Sequence, residues 1–390
     1  MQNNFIRFGK PNILNNELND VKRVIRSKWI GTGPLVQKFE KNFSKYKGTK
    51  NAISLNSCTA GLHLSLKILN LKKNSEIITT PLTFCSTINS IIMSGYKPVL
   101  ADIRTDTFNI DEEKLEKKIT SKTKALLIVH FNGIPCDMDH ILKIAKKYNL
   151  KIIEDCAHAI ESKYKDKHVG NFGITGNFSF YANKNITTGG EGGMLITRDK
   201  SIADKIRVLR LHGMSKDAWK RYTPEIADKK NRYNHYDVTE TGYKYNMIDL
   251  QAVFGINQLN RINKMHDKRK ILYKNYENKF KDLPVFFQKT TNYKHTASYH
   301  LFFLVFDKSK TKKKRDDLLN FLLRNNIGAS VHYRAVTEMT NYKKLFKWNK
   351  KTCPNGHYVG QNTISLPLYP DLKISEQNYI IRKVLNFFNA

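Results

Sequence analysis

Between residues 49 and 200, short apolar runs alternate with segments whose apolar positions recur every three or four residues. The runs 52–55, 76–79, 98–102, 125–130 and 151–154 read as strands. The segments 59–69, 86–94, 111–119 and 138–148 read as helices, and Leu62, Leu66 and Leu69 share one face of the first. Strand and helix in regular alternation predict an α/β fold, a large three-layer domain with a mostly parallel sheet between helices. Ligands of such sheets gather beyond the carboxyl ends of the strands.

The pattern changes after residue 200. Residues 213–241 are polar and tyrosine-rich without a period, and read as a long loop. Residues 247–281 carry a helical repeat through Leu250, Val253, Phe254, Ile256, Leu259 and Ile262. Strands are expected at 297–306 and 327–333, and helices after Lys314 and Ser375. The expected division is a large domain over 1–264 and a smaller C-terminal α+β domain over 265–390.

The 390 residues, 40% of them hydrophobic, can bury more than one core. No apolar run reaches the length of a membrane span, and residues 1–5 lack the charged and apolar regions of a signal peptide. Five scattered cysteines without a CxxC pair fit free thiols in a reducing cytoplasm better than a metal site. The net charge of +33, from 67 basic and 34 acidic residues, comes mainly from lysines spread along the chain. That distribution fits a solvated surface, not a nucleic-acid partner, and its field would attract a diphosphate.

Against this background one lysine stands out. Phe178-Ser179-Phe180 is a short apolar strand, Lys184 follows it, and a glycine-rich turn runs to Gly193 before a second strand at 194–197. A lone lysine in a lysine-rich chain is ordinarily a surface residue; the flanking strands and glycines place this amine at a tight, close-approach turn. Some thirty residues earlier, Asp155 ends the apolar run 151–154. A strand-end acid, a lysine and a glycine turn suit a pyridoxal 5'-phosphate (PLP) enzyme. The lysine would bind the cofactor covalently, and the acid would hold the ring nitrogen in its cationic form. His158 is placed to meet the ring oxygen, or is an ordinary loop histidine. Asn56-Ser57-Cys58-Thr59-Ala60-Gly61 opens a helix after a strand, which makes a phosphate site or a plain serine cap. Ser179 has a hydroxyl within reach of the same phosphate. Phe84, in Thr80-Pro81-Leu82-Thr83-Phe84, would stack on the ring; from its local sequence alone a core position is the better reading.

Taken in order, these motifs resemble those of the DegT-type nucleotide-sugar aminotransferases, a PLP family of the aspartate-aminotransferase-like fold. The resemblance extends over Trp29-Ile30-Gly31-Thr32-Gly33-Pro34, the three segments around Ser57, Phe84 and Asp155, Val129-His130-Phe131-Asn132-Gly133, the segment from Ser179 to Gly193, Gly242-Tyr243-Lys244-Tyr245-Asn246-Met247, and Ser365-Leu366-Pro367-Leu368-Tyr369-Pro370. It implies that Lys184 is the cofactor lysine, that Asp155 and His158 hold the ring nitrogen and oxygen, and that Phe84 stacks. It places Ser57, Cys58, Thr59 and Ser179 at the phosphate. Lys244 or Asn246 would reach the phosphate of a second subunit, which implies a homodimer with shared sites. Trp29, Tyr181 and the stretch holding His332 and Tyr333, with the loop 213–241, are candidates to hold substrate. The chain departs from the family pattern in carrying Cys58 where a small residue is usual, and in having both Gly189 and Gly190 in the turn. The implied activity is transfer of an amino group from L-glutamate, through the pyridoxamine form (PMP), to a nucleotide-diphosphate keto sugar. C4 of a 4-keto-6-deoxy hexose is the expected position, for surface polysaccharide. The alternatives are a C3-keto sugar, a PLP-fold sugar dehydratase, which Lys184 argues against, and a non-catalytic regulator.

Overall fold

The computed structural model of the chain describes residues 5–215, 236–289 and 293–389. Its centre is a seven-stranded sheet. The strands are β1 (Asn51–Leu55), β2 (Glu76–Thr79), β3 (Lys97–Leu100), β4 (Thr123–Val129) and β5 (Lys151–Asp155); two short strands, β6 (Lys163–Tyr164) and β7 (Lys167–His168), intervene before β8 (Thr175–Ser179) and β9 (Gly193–Thr197). The order across the sheet is β1-β9-β8-β5-β4-β2-β3. Strand β9 is antiparallel to both its neighbours, and the other pairs are parallel. The six remaining strands therefore share one direction, as the alternation predicts for a mostly parallel sheet. The interior strands are buried along most of their length, which is why they read as continuous apolar runs.

Helices cover both faces of this sheet. They are α1 (Asn15–Arg26), α2 (Pro34–Lys47), α3 (Cys58–Lys67), α4 (Cys85–Met93), α5 (Glu112–Glu116), α6 (Met138–Lys147), α7 (Lys200–Leu209) and α8 (Asp249–Asn260), followed by α9 (Ile262–Phe280). The side chains of Phe39 and Phe43 on α2 pack with Phe178 and Phe180 on one side, and those of Leu62 and Leu66 on α3 with Ile77 and Leu127 on the other. The helical repeat expected across 247–281 is interrupted at Arg261, whose backbone leaves helical geometry between α8 and α9. Its guanidinium is held by the carbonyl and side chain of Asn12 and by Glu17, contacts from the far end of the chain that no local pattern announces.

Beyond α9 a second sheet forms from β10 (Val285–Phe286), β12 (Phe302–Phe306) and β13 (Thr363–Leu366), while β11 (His295–Thr296) joins β6 and β7. The helices α10 (Arg315–Arg324), α11 (Thr340–Phe346), α12 (Pro354–Asn362) and α13 (Ile374–Asn389) accompany it. Its core gathers Tyr276, Phe280, Phe302, Phe306, Leu318 and Ile380, and Ile6 from the N-terminal segment joins them. The strand expected at 327–333 does not form. Ile327 and Ser330 make single bridges to Ile6 and Ser365, and the chain then turns inward to deliver His332 and Tyr333 to the site. Of the expected loop 213–241, residues 216–235 lie outside the described residues. No helix among the described residues is long and apolar enough to cross a membrane.

One buried ion fixes the strand that matters most. Glu154, next to Asp155 and therefore on the opposite face of β5, is fully enclosed. Its oxygens accept from Gly170 N (2.7 Å), Phe172 N (2.7 Å), Gly173 N (2.6 Å) and His130 Nε2 (3.1 Å). His130 Nδ1 accepts from Cys136 N at 3.1 Å, which leaves the ring proton on Nε2 for Glu154. Cys156 also approaches this pair, but the carboxylate and both imidazole nitrogens are already engaged. Burial alone would raise the Glu154 pKa; His130 and the backbone donors outweigh it and leave the carboxyl below its ordinary value. Glu154→Ala should therefore cost about 3–5 kcal/mol in denaturant unfolding, because buried donors lose their acceptor. With a depressed folded pKa, the Glu154 contribution should be complete at neutral pH and disappear as pH falls through that folded value.

Candidate active site

The carboxyl ends of five parallel strands and the amino end of β9 converge on one cavity of about 410 Å³, a size common for small-molecule sites. From β1 come Ser57, Cys58 and Thr59; from β2, Thr83, Phe84 and Ser86; from β4, Val129; from β5, Asp155, Ala157 and His158; from β8, Ser179, Tyr181, Asn183 and Lys184. Gly192, Glu191, His332 and Tyr333 complete the wall. The antiparallel β9 brings its glycine end to the same edge that the parallel strands reach with their carboxyl ends.

The loop carrying Lys184 is cinched at its base. Phe180 O accepts from Thr188 N (3.2 Å) and Thr187 Oγ1 (3.0 Å), and Phe180 N donates to Gly192 O (2.9 Å). Gly189 and Gly190 hold φ of 81° and 124°, conformations that other residues rarely adopt. Both glycines of the lengthened turn are thus used. At Gly193 the need is space: a Cβ there would sit 2.4 Å from Ser57 C and 2.5 Å from Cys58 N. Glycine lets β9 press against the start of α3. Downstream of the lysine, Asn185 Nδ2 donates to both Glu161 oxygens (3.0 and 2.8 Å) and to Ser298 O (2.8 Å), which anchors the loop on its buried side.

Lys184 Nζ makes no hydrogen bond or ion pair among the described residues, although Asp155 lines the same cavity. Burial lowers the Lys184 pKa to about 8, with Cys58 and Asp155 opposing the shift. Asp155 is raised by burial, against the pull of Ala157 N–H, the Thr87 hydroxyl and the Lys184 charge. Its Oδ1 accepts from Ala157 N (3.1 Å) and its Oδ2 from Thr87 Oγ1 (3.0 Å). His158 is buried and held well below its ordinary pKa, first by desolvation and then by the Lys184 charge. Its Nδ1 accepts from Asn132 N (3.3 Å), so Nε2 carries the proton, 2.9 Å from the Tyr333 hydroxyl.

Helix α3 begins with Ser57 as its cap, the Ser57 Oγ accepting from Ala60 N at 3.1 Å. Ser57, Cys58 and Thr59 at the start of this ten-residue helix line the cavity together with Ser179, and a helix start is a favourable seat for an anion. Phe84 is 56% exposed at the mouth and is no core residue. An unpartnered, half-buried amine, a hydrogen-bonded carboxylate, an uncovered aromatic ring and a helix N-terminus around one cavity fit PLP in amine, ring nitrogen, ring face and phosphate.

Trp29 is expected at the substrate, and Lys244 or Asn246 at the phosphate of a second subunit. Trp29, Lys244 and Asn246 do not line this cavity. Trp29 Nε1 bonds Thr32 O, and Asn246 Nδ2 bonds Thr32 Oγ1 at 2.7 Å. Sequence reasoning gave no role to Thr83, Ser86, Thr87, Asn183 or Glu191. The four-residue spacing of Thr83 and Thr87, at the turn into α4, was the one available signal.

The family model described as the DegT/DnrJ/EryC1/StrS aminotransferase family matches residues 11–385. Spore coat polysaccharide biosynthesis protein SpsC of Bacillus subtilis is 42% identical over 384 residues, 98% of this chain and 97% of that protein. A putative sugar aminotransferase, Spr1654 from Streptococcus pneumoniae in its PMP form, superposes with a TM-score of 0.89 at 30% identity, over 98% of this chain and 99% of that one. Helicobacter pylori PseC, an aminotransferase involved in the biosynthesis of pseudoaminic acid, gives 0.89 at 29% identity, over 99% of both chains.

In protein freed of cofactor, the Lys184 amine should acylate with a rate that rises about tenfold per pH unit and levels off near pH 8. Peptide mapping by mass spectrometry would read this against a surface lysine, whose rate should keep climbing to about pH 10.

Proposed function

The chain belongs to the DegT/DnrJ/EryC1/StrS aminotransferase family and is a PLP-dependent sugar aminotransferase; from that premise we propose that it moves the amino group of L-glutamate to the C4 carbonyl of a nucleotide-linked 4-keto-6-deoxy hexose. The observation that carries this reading is the pairing of Lys184 and Asp155 across one cavity, with neither neutralising the other by direct contact. Lys184 Nζ would hold the cofactor covalently, Asp155 its ring nitrogen, His158 Nε2 its ring oxygen, Phe84 its face, and Ser57, Cys58, Thr59 and Ser179 its phosphate. Bound PLP supplies an electrophilic carbon for amines and a ring that accepts the electron pair released at the substrate carbon.

The residues do the rest. With its pKa lowered to about 8, Lys184 Nζ can take and return a proton near neutral pH without a large energetic mismatch. Asp155 keeps a proton on the ring nitrogen by charge and hydrogen bonding. His158, neutral and fixed by Asn132 N, has a donor and not a charge to offer the ring oxygen. Tyr333 and Val129 wall off water. His332, pushed by burial to about 3, meets the substrate end of the cavity as a neutral ring, beside Tyr181, which is 47% exposed.

The protein would act as a homodimer. Leu18 and Ile25 are exposed along α1, with Leu14 just before it and Ile30 just beyond it, and Phe84 and Tyr181 are exposed residues of the cavity lining. Lys244 and Asn246, which miss their own cavity, would serve the partner's phosphate, and Trp29 the shared substrate entrance. The expected place is the cytoplasm, with the amino sugar entering surface polysaccharide; similarity to a spore-coat polysaccharide protein supports that destination.

A panel of nucleotide-linked 4-keto and 3-keto sugars, incubated with glutamate, should yield 2-oxoglutarate and an aminated sugar with a 4-keto member. Lys184→Ala should abolish turnover. Amination of 3-keto sugars alone would move the reaction to C3; a product without added nitrogen would overturn the transferase reading.

A further inference from the structure

Asp155 does not stand alone. Its Oδ2 accepts from Thr87 Oγ1 at 3.0 Å, and Thr87 Oγ1 lies 2.8 Å from Thr83 Oγ1. All three side chains are buried. Either threonine could donate to the other as far as distance goes, but an ionised carboxylate only accepts. Thr87 must therefore give its proton to Asp155, and Thr83 must give its proton to Thr87. A protonated Asp155 would use its own hydroxyl proton toward Thr87, and the order would reverse.

We propose that Thr83 and Thr87 form a directional hydroxyl chain that keeps Asp155 ionised and aimed into the cavity, with Thr87 a positioning residue for cofactor binding. The inference rests on reading the cavity as a PLP site. A carboxylate has about four lone-pair positions. Thr87 from α4 and Ala157 N from the segment after β5 occupy one on each oxygen, from separate elements, so the group is braced on both atoms. The remaining lone pairs are left for a donor in the cavity. The titratable groups that interact with Asp155 are Lys184 after β8, His130 after β4, Cys58 at the start of α3, Cys156 beside it, and Tyr333 from the segment after β12 and α10. Burial raises the Asp155 pKa, and the Thr87 hydroxyl is among the groups that hold it down. Loss of that hydroxyl leaves burial less opposed and moves Asp155 further up.

Thr87→Val preserves the shape and deletes the donor. Titration of cofactor-free protein with PLP, followed by fluorescence across pH, should show binding about tenfold to a hundredfold weaker than wild type, as for loss of a hydrogen bond to a charged group. The acidic limb of binding should move to higher pH. Thr87→Ser should restore both, and Thr83→Val should shift the limb in the same direction by less. If wild type binds PLP and Thr87→Val binds equally well with an unmoved acidic limb, the hydroxyl chain has no such role. If Thr87→Ser fails to restore the limb, Thr87 is merely structural and the proposal falls. If wild type itself does not bind PLP, the reading of the cavity falls, and the proposal with it.

Discussion

A half-buried amine and a buried carboxylate share one cavity without forming an ion pair, and contacts on either side hold each of them in place. Contact between Lys184 and Asp155 would satisfy both and leave nothing to bind a ligand. Asp155 is held back by Thr87 and Ala157 N–H, while the cinched loop at Phe180 and the Asn185 anchor hold Lys184. Keeping two such groups apart is unfavourable in an apolar interior. Burial moves both pKa values, Lys184 down to about 8 and Asp155 up, and each group's charge only partly opposes the shift of the other. Functional sites gather such perturbed groups.

The sheet makes this separation possible. Five parallel strands end at one edge, and each end adds a different group to the cavity. Strand β9 runs the other way, so its glycine turn returns to the same edge and closes on the start of α3. On the far side of β5, Glu154 is saturated by His130 and three backbone amides, which pins the strand that carries Asp155. Alternate residues of one strand thus divide the work: Glu154 secures the scaffold and Asp155 faces the cavity.

Much of this was legible in the sequence because it obeys local rules. Asp155 ends an apolar run, Lys184 precedes a glycine turn, and Ser57 caps a helix, each visible within a few residues. What was hidden depends on distant partners. Phe84 reads locally as a core side chain, yet the geometry of the turn into α4 turns it outward. Thr87 lies on α4 and Asp155 on β5, and only their packing makes a hydrogen bond between them. At the break, Arg261 is held by Asn12 and Glu17, and where a strand was expected at 327–333 the chain brings His332 and Tyr333 to the site.

The account as a whole stands on a covalent bond at one nitrogen. Purified protein reconstituted with PLP, reduced with borohydride and digested, should carry the phosphopyridoxyl mass on the peptide that contains Lys184 and on no other. Label distributed over surface lysines, or absent from the Lys184 peptide, would contradict it.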